Sequence, residues 1–381
     1  MLLKKKILMG AMAFLVGVNT SVFAVDKVKV TQSIASANEF LIKTQNPDGS
    51  WGEFPHPAIA ALCAISLHKS PGIDESKSKA AVDKALDYVL QYRQPDGAIF
   101  PKAKHEENKR SSAYYPNYTT STALLALATV NRAQDLDAIK GARAFIKANQ
   151  FNDPAKVDFG GMGYGKTGRA DLSNSSWAAE ALLVSEFVDA GNEKSEASDK
   201  KMWADLATFL TKCQNLPETN TEDYVSKEAK ERGGFFYRPN ESKAGEESEG
   251  AQTKLLSSGS MTYAGLKSML YAKVDKDDIR VKAAMEYSLT NYTLDENPGM
   301  GQQGLYYYLM VMTKSFEAYN EDELTLKDGK KVIWRDEVSE KIISLQREDG
   351  RFENDNARFM ETLPFLVTPY SVISLRKVIK E

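Results

Sequence analysis

Cysteine is nearly absent from this chain. Its 381 residues include two, Cys63 and Cys213, too few for a disulfide framework or a cysteine-rich zinc module. Histidine is as scarce, at three. Neither sign of charge dominates: Lys+Arg number 49 against Asp+Glu 52, a net charge of −3, so no basic face for a nucleic-acid partner is implied. Glycine at 24 and proline at 13 residues are ordinary and exclude collagen-like and low-complexity classes. What is present, 42% hydrophobic, 27% charged and 10% aromatic residues, is too apolar for disorder and too charged for a membrane bundle. A globular protein with a large core remains.

The first residues stand apart from that core. Lys4-Lys5-Lys6 precede an apolar stretch, Ile7 to Val18, and Val22-Phe23-Ala24 then offers small or apolar residues where a signal peptidase reads them. The stretch falls short of the roughly 20 residues that span a bilayer. Residues 1–24 therefore read as a signal peptide and residues 25–381 as one domain. The domain is expected to be exported, periplasmic or extracellular, with no stable membrane insertion after cleavage. Both cysteines fall in expected helices and should be buried and unpaired.

The chain is built from a repeat. QNPDGSWGEF at 45–54 returns as QPDGAIFP at 94–101 and QREDGRFEN at 346–354. Looser copies run from Gln150 to Gly165 and from Cys213 to Pro239. Each follows an amphipathic run with apolar residues at three- and four-residue spacing, such as Val82, Ala85, Leu86, Val89 and Leu90. Asp-Gly supplies a tight turn, and the next aromatic folds back onto the helices.

After each turn comes a second kind of helix, small and apolar on most faces: Pro57–Leu67, Ser121–Val130, Ser176–Phe187, Met261–Ala272, Gln302–Phe316 and Pro369–Val378. Helices apolar almost all round are buried on more than one side. Six polar-faced helices alternating with six buried ones predict an all-α fold, an (α/α)6 toroid with inner helices lining a central cavity. Long charged insertions at Lys102–Arg110 and Glu218–Gly250 read as solvated loops, and Leu324–Trp334 as a small hairpin.

These Gln-x-x-Asp-Gly-x-Trp/Phe repeats resemble those of the squalene cyclase and protein prenyltransferase toroids. GGMGYG at 160–165 and GGFFYRP at 233–239 are similar to the Gly-Gly-Phe/Met loops of that superfamily. The resemblance covers residues 25–381 and implies an apolar or polyprenyl-type ligand in the cavity. A shared fold does not by itself transfer an activity.

The superfamily's chemistries need particular residues. Cyclases of the squalene–hopene type protonate an alkene with the middle carboxyl of Asp-x-Asp-Asp, at the opening of an inner helix. Asp275-Lys276-Asp277-Asp278 matches the string, but a charged outer helix follows it. Asp277 or Asp278 reads instead as an N-cap. Prenyl transfer needs zinc held by Asp, Cys and His. Cys63 and His68 lie about 140° apart on a helix, so no metal and no cofactor is expected. Pro298-Gly-Met-Gly-Gln-Gln303 resembles the Gly-Cys-Gly-Glu-Gln thioester motif of complement-type toroids, but Met300 stands where the thiol belongs.

A constellation is left near the inner-helix starts: His56, Tyr118, Arg169, Asp171, Asn174, Trp177, Tyr263, Gln302, Gln303 and Tyr306. Phenol-tipped aromatics suit sugars, or an apolar ligand with a polar end. At 100° per residue Tyr306, Tyr307 and Tyr308 cannot all face one cavity. His56, Asn174, Gln302 and Gln303 are expected to converge, with free helix-end N–H groups around them. Three functions compete: an apolar-ligand binder or enzyme, a carbohydrate-active lyase or hydrolase, and a non-enzymatic thioester-domain-like interaction module. A deep apolar cavity would favour the first, an open polar groove the second, and a filled core the third.

Overall fold

A computed structural model describes residues 25–102, 115–249 and 252–379. The leader expected over residues 1–24, Tyr114, His105 and all but the first residue of the insertion at Lys102–Arg110 lie outside the described residues. Helices alternate outer and inner, in the pairs α1 (Lys27–Thr44) and α2 (Pro57–Leu67), α3 (Glu75–Leu90) and α4 (Pro116–Val130), α5 (Leu136–Ala148) and α6 (Leu172–Val184), α7 (Glu193–Lys212) and α8 (Gly259–Tyr271), α9 (Ile279–Thr290) and α10 (Leu305–Tyr319), α11 (Trp334–Ser344) and α12 (Pro364–Val378). Neighbouring inner helices pack against one another in chain order, and α12 returns to α2. The fold is the expected all-α toroid.

The two helix classes follow from composition. α1 buries Val30, Ile34, Ala37 and Leu41, one stripe at helical spacing. α2 buries every residue but Ile59, because it is enclosed by outer helices and by its ring neighbours. Asp26, Asp74, Asn192 and Asp278 each accept a backbone N–H at the start of an outer helix, supplying the orphan donors there with a partner.

The repeat turns hold the rings together. The Gln45 amide donates to the Gly49 carbonyl of its own turn and to the Ala81 carbonyl on α3, at 3.1 and 2.9 Å. Gln150 joins Gly160 to Met202 on α7, Gln214 joins Gly233 to Arg280 on α9, and Gln346 joins Gly350 to Ser33 on α1. Gln94 stays within its own turn, and there Arg93 reaches Asp137 on the next outer helix at 2.8 Å. Glycine is required at the turn because the following helix presses on it. At Gly49 φ is +92°, and a Cβ would lie 2.2 Å from the Lys84 carbonyl oxygen.

The residue that follows the turn is fixed by a hydroxyl on an inner helix. The N–H groups of Ile99, Met162, Phe235 and Phe352 donate to Thr120, Ser175, Thr262 and Thr368 at 2.9–3.0 Å. Trp51 is buried, and its indole N–H donates to the Leu41 carbonyl at 2.8 Å.

Several details differ from the sequence reading. α10 starts at Leu305 rather than Gln302, because Gly304 sits at φ +70° and breaks the run. α12 starts at Pro364 and carries Pro369 inside it. Proline has no N–H, which frees the Phe365 carbonyl four residues back; the Cys63 thiol reaches that oxygen at 3.6 Å. Both cysteines are buried and unpaired, as expected. The insertion at Glu218–Gly250 is more than a solvated loop. It buries Asn220, Tyr224, Val225, Ser226 and Glu231, and its end forms an antiparallel hairpin of β1 (Glu246–Glu249) and β2 (Gln252–Leu255). The hairpin expected at 324–334 is present as β3 (Glu323–Thr325) and β4 (Lys331–Ile333). On the inner ring, Arg376 of α12 donates to the Ile65 and His68 carbonyls at 3.1 and 2.9 Å. No helix among the described residues is long and apolar enough to cross a membrane.

Candidate functional site

At the end of the ring where the inner helices begin, aromatics from four of them meet on the axis. Trp177 of α6 is the hub, with ring centroids 5.6 Å from Tyr118 of α4, 6.4 Å from Tyr307 of α10 and 6.3 Å from Tyr370 of α12. Tyr118, Ser173 and Tyr307 are partly exposed, whereas Trp177 and Tyr370 are buried beneath them. Burial pushes the Tyr118 phenol up to about 12.

A polar rim adjoins this floor. Asp171 opens α6, accepting the Asn174 backbone N–H at 2.8 Å and the Asn174 amide at 2.9 Å. Asn117 of α4 donates to the Asn174 side-chain oxygen at 3.4 Å. Burial raises the Asp171 carboxyl to about 6, against the hydrogen bonds from Asn174 and the Tyr237 phenol that favour its ionised form. Tyr115 and Tyr164 pack at 4.8 Å between centroids at the edge.

Three inner helices bring to this mouth polar atoms that make no well-formed hydrogen bond among the described residues: the Asn117 side-chain oxygen, the Trp177 indole N–H, which lies beside the Tyr118 phenol, and the Tyr307 hydroxyl, which lies beside Ser173. Buried polar atoms are normally paired, so these three are the mouth's candidate ligand contacts. The helix-end N–H groups expected to do so are already used. Asn117 N donates to the Tyr164 carbonyl, Leu172 N to Tyr237 and Gly259 N to Pro298. At α10 the donors of Tyr306 and Tyr307 go to the Glu361 carboxylate, at 3.2 and 2.8 Å. In each case the loop ahead of the next inner helix is the cap.

Of the sequence candidates, the structure brings Tyr118, Asp171, Asn174 and Trp177 together. The others are held elsewhere. His56 caps α2, its Nδ1 accepting from Ala58 N at 3.2 Å, and burial lowers it to about 4. Arg169 donates to the Pro239 carbonyl. Tyr263 is wedged against Tyr308 and Phe316. Gln302 is exposed and donates to the Asp295 carbonyl at 2.7 Å, so it does not cap α10. Among the described residues, Gln303 keeps an unpaired side-chain oxygen, and no hydrogen bond of its side chain joins it to the cluster. Tyr306 turns to Phe352 and donates to the Glu353 carbonyl at 3.2 Å. The tyrosine on the axis is its neighbour Tyr307. The expected convergence of His56, Asn174, Gln302 and Gln303 is therefore replaced by one of Asn117, Tyr118, Asn174, Trp177, Tyr307 and Tyr370.

Beneath Trp177 the axis carries Glu180, Lys267 and Lys314, a buried ionic cluster that the sequence reading missed. Two concavities of about 230 and 500 Å³ lie off the axis, the first around Gln150 and Phe151 and the second between Gln45 and Lys84. The Asp-x-Asp-Asp string is a cap, as expected, and Asp278 is the capping residue. It accepts Arg280 N at 2.9 Å, while Asp277 points to solvent and pairs with Lys282 at 2.7 Å.

The closed inner ring, its outer helices and the repeat turns define an α/α-toroid. No protein-family model matches the chain. Over 155 residues it is 24% identical to drimenyl diphosphate synthase of Streptomyces showdoensis, a match covering 39% of this chain and 26% of that protein. The chain thus spans about a quarter of the curated relative it matches. Among solved structures it is similar to type II terpene cyclase MstE from Scytonema, with a TM-score of 0.52, 14% identity and 92% of this chain and 99% of that one covered. D-mannose isomerase is similar at a TM-score of 0.59 and 12% identity, over 93% and 98% of the two chains. A family 76 glycoside hydrolase (mannosidase) from Bacteroides thetaiotaomicron VPI-5482 gives 0.56 and 11%, over 92% and 98%. These likenesses establish the fold.

Proposed function

We propose that the chain binds a compact, hydroxyl-rich ligand, a sugar or sugar-like molecule, at the mouth of the inner ring. The observation that carries this reading is the set of polar atoms on Asn117, Trp177 and Tyr307 without well-formed hydrogen bonds among the described residues, around a partly exposed aromatic floor. Sugars present apolar faces that stack on such rings and hydroxyls that pair with such atoms. Proteins acting on sugars are among the toroids of similar fold.

A polyprenyl chain needs a deep dry channel, and below Trp177 the axis holds three ionised side chains. That weighs against the apolar-ligand reading. Hydrolysis by a carboxylate pair is also poorly supported. Asp171 and Glu361 are both buried, and their oxygens already accept helix-end and amide hydrogens. The proposal is therefore binding. Export remains part of it, checked by N-terminal sequencing of the protein recovered outside the cytoplasm.

Tyr307→Phe tests the site. The hydroxyl it removes lies beside Ser173 but makes no well-formed hydrogen bond among the described residues, so melting should change little while affinity for neutral mono- and oligosaccharides falls several-fold in calorimetric titration. Saturable binding of geranylgeranyl amphiphiles, with none of any sugar, would overturn the reading.

A further inference from the structure

The charged cluster beneath the mouth is unbalanced. Glu180 on α6 accepts from Lys267 of α8 at 2.7 Å and from Lys314 of α10 at 2.6 Å, one oxygen for each ammonium. The three side chains are 10%, 3% and 3% exposed. Lys377 and Glu317, the next charges, pair with each other at 2.8 Å and supply no counter-charge. One carboxylate thus faces two ammoniums in the buried interior. The imbalance shows in their protonation: burial draws Lys314 down to about 8, while the two lysines outweigh burial and hold Glu180 near 2.

Hydrogen bonding is equally short. An ammonium has three N–H donors, and each lysine makes one hydrogen bond among the described residues. Their remaining environment is aromatic, with Lys267 5.5 Å from the Tyr271 ring centroid and Lys314 5.4 Å from that of Trp177. Buried donors left without acceptors are costly, and a buried excess charge more so. A small acceptor carrying negative charge would answer both deficits. The cluster is also continuous with the mouth. Glu180 lies one turn beyond Trp177 on α6, and Lys314 lies two turns beyond Tyr307 on α10.

We propose that Lys267 and Lys314 form an anion subsite on the ring axis, holding the carboxylate or phosphate of a compact ligand whose uncharged part stacks at Trp177 and Tyr307. The placement of the uncharged part rests on the sugar reading above; the anion subsite itself does not.

The test is a thermal-melt and tryptophan-fluorescence titration in chloride-free buffer, using acetate, phosphate, glucuronate, glucose 6-phosphate and glucose. The intact protein should gain melting temperature saturably with the anions, and glucuronate should bind at least tenfold more tightly than glucose. Lys314→Met leaves a neutral Lys267–Glu180 pair, so it should fold at least as stably and lose the anion response. Glu180→Gln should be less stable without anion and respond more strongly to it. An equal response in the intact protein and in both Lys314→Met and Lys267→Met would overturn the proposal. So would a flat response in all of them. If acetate and phosphate act through the lysines while glucuronate and glucose add nothing, the subsite stands and the sugar reading falls. If glucose binds with no preference for anions, the reverse holds.

Discussion

Gln346 and Ser33 hold each other across 313 residues of sequence. The Gln346 amide donates to the Ser33 carbonyl at 2.9 Å, and the Ser33 hydroxyl donates back to the Gln346 side-chain oxygen at 2.7 Å. The pair fastens α11 to α1 and closes the outer ring. Gln346→Ala would remove three hydrogen bonds at once, two to backbone carbonyls and one from the Ser33 hydroxyl. A partly buried group left unpaired costs about 1–3 kcal/mol. The variant should lose about that much in urea unfolding, while Gln94→Ala, at the one turn that makes no bridge of this kind, should lose less.

Gly49 sets a sharper test of the same turns. Alanine there would combine a left-handed backbone with a Cβ 2.2 Å from the Lys84 carbonyl. Gly49→Ala is expected to cost more than about 2 kcal/mol, the scale of backbone strain with overpacking. Calorimetric melting checks it.

The acidic string at 275–278 separates capping from chemistry. Asp278→Ala should cost about 0.5–2 kcal/mol, the usual loss for a side-chain N-cap, because Asp278 holds Arg280 N. Asp277→Asn should change stability by less than about 0.5 kcal/mol, as for exposed sites generally. Cyclised product from squalene with the native chain, lost in Asp277→Asn, would contradict the assignment.

Asp171 gives the fold a pH dependence of definite sign. Its carboxyl titrates near 6 in the folded chain and near 4 once unfolded. Between those values the folded state binds more proton, so stability falls as pH rises from about 4 to 6, by a few kcal/mol. Glu180 works in the opposite sense and in another window. Its folded value near 2 means that its contribution is lost as pH falls from about 4 towards 2. Denaturant titrations across pH 3.5–7 should show the first slope in the native chain and its disappearance in Asp171→Asn, which keeps a capping side chain.

The ring was legible in the sequence because the repeat writes each structural demand into residue type. Asp-Gly turns, a following aromatic and two alternating helix compositions gave the number and order of helices. The site was only partly legible. Asn174, Asp171, Trp177 and Tyr118 stand near helix starts, where position alone suggests them. Choosing Tyr307 over Tyr306 required the helix phase, which depended on whether α10 begins at Gln302 or Leu305. The ionic cluster had left a signal. Glu180 and Lys267 are the single charges of their inner helices, and Lys314 is the buried one of two on α10; charges almost never enter a core unpaired. The loop caps of the inner helices had none, since their donors pair with residues one repeat away.

The meeting of α12 with α2, bridged by Arg376 on the Ile65 and His68 carbonyls, bears on how the chain reaches its native state. An open array of repeats gains stability unit by unit and can begin folding at any point along its length. Here the final seam joins segments some 300 residues apart, separations of 311 and 308 in those two bonds, and every inner helix needs both neighbours to cover its flanks. Contacts of such separation form late and slow the rate. Partly assembled arcs would expose the alanine-rich flanks of the inner helices, so unfolding is expected to be all-or-none, and refolding from denaturant slow and prone to association.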